Sequence, residues 1–365
     1  GGDATTGPDP AWVIGRFMLH WDVLRVDDRG GHGDARNDRR HEFYERLLDA
    51  TQGAAEWCDA SSGRGRSLLS SLALLVSFIE AYAGSSLGSS NITSGLARGL
   101  GACRDLLYRR MLEAEAARVR VMAGRLLRGV VRAVADNVDV GAVAKDGETA
   151  MAGLLERIAD RRVVPWLQRG AVQWCVAVLD AGLLDEMLDE VRLCSFEAAL
   201  AVKSLVAAME RVLQRGRVGE MRWTEAESDK LVSLSLARQA CDLVMMDKTK
   251  LVGPDAQEWR THMCPSLSAR RISALVQAFV RSGPSPEGPQ ALTEILHSLE
   301  QHATQARPAQ PLKAGPEVDQ LLLELPAPLP QPFHQDLAAR GASAVGLPSS
   351  YPLLAARRTM AFLWH

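Results

Sequence analysis

VRLCSFEAALAVKSLVAAMERVL, residues 191–213, reads as one helix with a defined start. Ser195 can cap the first turn, and Glu197 follows where the helix dipole favours an anion. Phe196, Ala199, Leu200, Val202, Leu205, Val206, Met209, Val212 and Leu213 then recur at steps of three and four. Lys203, Glu210 and Arg211 fall mainly outside that stripe. So wide an apolar arc needs neighbours on more than one side, which places this helix at the centre of a helical domain.

The chain of 365 residues is long enough for a substantial core divided between two subdomains. Hydrophobic residues make up 47% and charged residues 24%, within the globular range. The net charge of −2 hides no long block of one sign, so composition argues against nucleic acid and against a charged membrane surface. Six scattered cysteines include no CxxC pair, the pattern of reduced thiols and not of disulfides or zinc. The start, GGDATTGPDP, is no signal peptide, and the apolar stretches 68–79 and 172–184 are too short to insert in a bilayer. These features predict a soluble, cytoplasmic protein.

Working outward, residues 1–10 are expected to be disordered and Ala11–Val26 helical, with a loop over Asp27–Asp38. Helices are expected at Glu42–Trp57, Leu68–Tyr82 and Leu100–Val134, with a flexible Gly-Ser connection at Gly84–Gly95. A loop at Gly141–Gly147 separates an N-terminal subdomain, 11–147, from a C-terminal one, 148–306. The second subdomain should hold helices at Thr149–Arg161, Pro165 to about Asp180, Glu225–Met246, Pro254–His262, Ser268–Arg281 and Ala291–Gln301. Residues 307–365 are rich in proline and should be extended. No period-2 run of β-branched residues is present, so the class is all-α.

The usual catalytic signatures are missing: no GxGxxG, GxxxxGK[ST], HExxH or GxSxG occurs. No catalytic residue, cofactor site or metal site is therefore assigned. Asp185, Glu186, Asp189 and Glu190 read as a solvated face, and Cys194 as a packed thiol. The arginines of the long helix (Arg104, Arg109, Arg110, Arg118, Arg120, Arg125, Arg128, Arg132) fall on several faces, so most should be solvated; the other use is to dock an acidic partner. Lys248 and Lys250 flank Thr249 in a turn after a long helix, where the dipole favours cations.

Several segments together resemble the globular tail, or dilute domain, of class V and class XI myosins, as a divergent, plant-like member. Cys194-Ser195-Phe196 is followed at matching spacing by Val202-Lys203, Ala207 and Glu210. Arg238-Gln239-Ala240 leads to Lys248-Thr249-Lys250, where the family has a Lys-x-Lys turn. Cys264-Pro265-Ser266-Leu267-Ser268, with Ile272 and Leu275, resembles the family's Cys-Pro-x-Leu-Ser helix start. Leu19-His20-Trp21 upstream and Pro332-Phe333 with Pro352-Leu353 downstream extend the match in order. Glu197–Ala201 and Gly283–Pro289 depart from the pattern.

The resemblance implies an elongated rod of two stacked helical bundles, with 307–365 folding back along the first. It implies a non-catalytic domain whose partners are protein cargo adaptors on vesicles or organelles and its own motor head, near the actin cytoskeleton. Lys248 and Lys250 would dock on the motor from an exposed turn. The alternative is a stand-alone dilute-domain scaffold or membrane-tethering subunit without a motor.

Overall fold

The computed structural model describes residues 34–83, 91–137, 139–159, 163, 165–215, 217–218, 221–222, 234–251, 256–282 and 292–299. Ten helices are described: α1 (Asp34–Trp57), α2 (Gly63–Ala83), α3 (Asn91–Ala135), α4 (Val140–Ile158), α5 (Pro165–Asp189), α6 (Phe196–Gln214), α7 (Ser235–Met245), α8 (Ala256–Met263), α9 (Ala269–Ser282) and α10 (292–299). Short 3-10 turns occupy Val191–Cys194 and Lys248–Leu251. The expected all-α class holds. One local exception is a two-residue antiparallel ladder, β1 (Arg217–Val218) against β2 (Met221–Arg222).

Some boundaries differ from the sequence reading, and each difference has a local cause. Gly141–Gly147 is the first part of α4 and not a loop. Asp139 starts that helix by accepting from the Gly141 N–H, and Gly147 serves packing: a Cβ there would lie 2.5 Å from Leu205 Cδ1. The glycine lets α4 approach α6 closely, so the dipeptide signals of a loop were misleading. α5 runs on to Asp189, taking Asp185, Glu186 and Asp189 of the acidic cluster into its last turns.

The chain forms two compact units; one division falls between Met111 and Leu112, inside α3, and another between Trp166 and Leu167, inside α5, while residues 147 and 148 lie within α4. Among the described residues the first unit contains α1, α2, the first half of α3, Val163 and the first two residues of α5. Its core includes Tyr44, Leu47, Leu69, Leu72, Val76, Leu100 and Leu107. Arg110 closes the end of α1 by donating from Nη1 to the Ala55 and Glu56 carbonyls at 2.9 and 2.8 Å. The helices expected at 11–26 and the tail 307–365 lie outside the described residues.

In the second unit α6 is the central helix, as its sequence predicts. Ser195 Oγ caps it, accepting from Ala198 N at 3.3 Å. α4 packs along one side and α7 along another, while α9 closes on α7 and on the turn Val191–Cys194. Val202, Leu205, Val206, Met209 and Leu213 are fully enclosed. Two members of the expected stripe are not: Phe196 is 55% exposed and Leu200 47%. They stand one turn apart on the solvent side of α6.

Candidate partner-binding surface

Lys248 and Lys250 differ sharply in surroundings. The turn that carries them starts where α7 ends. Asp247 Oδ1 accepts from the Thr249 amide at 3.0 Å and from Thr249 Oγ1 at 2.7 Å, and the Thr249 hydroxyl holds the carboxyl below the usual range. This local turn chemistry sends residue 248 inward and residue 250 outward.

Lys248 is only 3% exposed, which corrects the expectation of an exposed pair. Its Nζ donates to the Val244 carbonyl at 2.5 Å and the Met246 carbonyl at 2.7 Å, and sits 3.6 Å above the centre of the Phe279 ring. It thus neutralises the negative end of α7 and ties that end to α9. A buried ammonium is stable only with such partners. Lys250 is exposed, and so available to a partner.

The other residues of the matched segments also hold helices together. Lys203 Nζ pairs with Asp242 at 2.5 Å, joining α6 to α7. Glu210 accepts from the Leu234 amide at 3.2 Å and pairs with Arg238. Gln239 clasps the Cys264–Leu267 turn: its Oε1 accepts from Ser266 N at 2.9 Å and its Nε2 donates to Ser266 Oγ at 3.1 Å. Cys194 is buried, its Sγ 3.3 Å from the Met187 carbonyl, and burial pushes the thiol up to about 11. It is a packed thiol with no thiolate character at neutral pH.

Asp185 is half-buried, which raises its carboxyl, while Arg271 and Arg120 pull it down, so it is less solvated than the sequence suggested. His41, His262 and His297 are exposed. Among the described residues no three His, Cys, Asp or Glu side chains gather as a metal site, and no helix is long and apolar enough to cross a membrane.

Exposed apolar side chains mark further places where another protein could bind. Phe196 and Leu200 form one pair, and in the first unit Trp57 is 90% exposed at the end of α1. The sequence placed Trp57 only as the end of a helix and gave no sign of its exposure.

No family model matches the sequence, and no curated protein sequence matches it significantly. Solved structures do match in shape over almost all of the chain. One described as a myosin V cargo binding domain is 13% identical, with a TM-score of 0.57, covering 97% of this chain and 86% of the other. A structure of Myo2-GTD in complex with Inp2 is 14% identical, with a TM-score of 0.55, covering 97% and 87%. A yeast myosin 5 cargo binding domain is 12% identical, with a TM-score of 0.51, covering 99% and 90%. At this identity the likeness is one of fold, and the chain has the helical fold of the myosin V cargo-binding, or globular tail, domains.

Proposed function

We propose that this chain is the cargo-recognition tail of a class V- or class XI-like myosin, holding protein adaptors on vesicles or organelles in the cytoplasm along actin. The observation that carries the reading is the fold likeness across 97% of the chain, to domains solved in complex with the proteins Mmr1 and Inp2. Packed helices that expose Trp57, Phe196 and Leu200 suit recognition by surface. A pull-down from cytosol with the whole chain tests it. Recovery of organelle-bound adaptors supports the reading, and recovery of none, at any salt, removes it.

The same reading gives Lys250 a regulatory role, docking the tail on an acidic surface of its motor head. Lys248 shapes the turn from inside and makes no direct contact. The motive is their opposite burial within one three-residue motif. Adding the chain to its motor should inhibit the actin-activated ATPase, and Lys250→Glu should relieve that inhibition. Full inhibition by the variant would remove Lys250 from the contact.

A further inference from the structure

The second half of α3 carries an exposed line of cations with no acidic residue among them. Arg118, Val121, Arg125, Arg128 and Arg132 are spaced three, four, three and four residues apart, so they share one face of the helix over roughly 21 Å. All five are exposed, Val121 by 69%. Between Glu115 and Asp136 there is no carboxylate in the sequence. Arg118 Nη1 pairs with Glu115 at 2.6 Å. Among the described residues Arg125, Arg128 and Arg132 have no hydrogen-bond or ion-pair partner. Arg104 and Arg110, nearer the start of α3, are engaged with Asp105 and with the α1 carbonyls. The arginines of this helix therefore divide into an engaged set and a free one.

We infer that this stripe is a docking surface for an acidic amphipathic helix supplied by a protein partner, with carboxylates at the same three-four spacing and an apolar residue against Val121. Two observations favour a helix over a flat anionic membrane. The stripe is one side chain wide. Carboxylates bound it: Glu113 at one end, Asp136 and Asp139 at the other, and the half-buried Glu186 of α5 beside Gly124 on one edge. A lipid surface would face those acids as well as the arginines, whereas a single helix covers the cations alone. The inference rests on the reading of the chain as a protein-recognition domain but uses a surface separate from the Lys248–Leu251 turn.

The test is a fluorescence anisotropy titration of the whole chain with a labelled helical peptide bearing Glu at three-four spacing around one Leu. A scrambled peptide of the same composition and phosphatidylserine vesicles are run beside it. The in-register peptide should bind at least about tenfold more tightly than the scrambled one, and more weakly as salt rises. The triple variant Arg125→Glu, Arg128→Glu, Arg132→Glu should lose that preference while its melting curve stays unchanged, and Lys250→Glu should retain it. Equal binding of the two peptides, binding unaffected by the triple variant, or binding to vesicles alone would each overturn the inference. None of those outcomes bears on the adaptor pull-down, so the two readings fail separately.

Discussion

Asp180, in the middle of α5, caps a helix to which it does not belong: its Oδ1 accepts from the Ala237 amide at 2.8 Å, and its Oδ2 from Leu236 at 2.9 Å. The residue that should cap α7, Leu234, has no side-chain oxygen to do so. Glu210 of α6 supplies the Leu234 amide instead. The start of α7 is therefore satisfied by two carboxylates from two other helices, so α7 gains its first turn only as the unit assembles.

Asp180 is 4% exposed, and burial pushes its carboxyl up to about 6 against the pull of the two amides. A raised carboxylate value means the folded chain binds the proton more tightly than the unfolded one. The group's contribution is therefore fully present below the ordinary carboxylate value near 4 and lost as pH rises through 6. Lowering pH from 7 to 5 should stabilise the fold by ~1 kcal/mol through this residue. Asp180→Asn removes the titration, so urea unfolding of both proteins at pH 5 and pH 7 reads it. A wild-type-minus-variant difference that does not move with pH would show an ordinary carboxyl.

Lys248→Met should destabilise the second unit by about 1–3 kcal/mol, since two carbonyls at the end of α7 lose a charged donor. Lys248→Glu should cost more, placing a carboxylate among carbonyls. Lys250→Glu, on the exposed side of the same turn, should leave the melting temperature within a degree or two. Equal melting temperatures for Lys248→Met and wild type would mean that the ammonium is not held as described.

All-α class, the central helix and its Ser195 cap were legible because capping and apolar periodicity are local, although residues 191–194 form a separate 3-10 turn and not its first turn. The inward turn of Lys248 was not. Nothing in Met246-Asp247-Lys248-Thr249-Lys250 says that Phe279, far along the chain, will lie under one ammonium. Among the residues that carried the resemblance in sequence, Lys203, Glu210, Gln239 and Lys248 each bridge two elements of the second unit. Such residues hold the helices of the unit together, whereas Lys250, from the same matched turn, lies on the surface. Gly147 misled for a related reason: a glycine required by a close helix approach looks the same in sequence as one that frees a loop.

That close approach gives a paired prediction. Leu205 is fully enclosed on α6, and Leu205→Ala should cost ~2–5 kcal/mol by leaving a cavity against α4. Gly147→Ala alone should also destabilise, because its methyl would meet Leu205 Cδ1 at 2.5 Å and, at 3.3 Å each, the Leu205 carbonyl and Met209 Cγ. In the double variant the new methyl points into the space the leucine vacates. The two costs should therefore fall short of additive by ~1 kcal/mol or more in denaturant unfolding. Strict additivity would mean that α4 and α6 shift apart to absorb each change separately, and that Gly147 is not what sets their spacing.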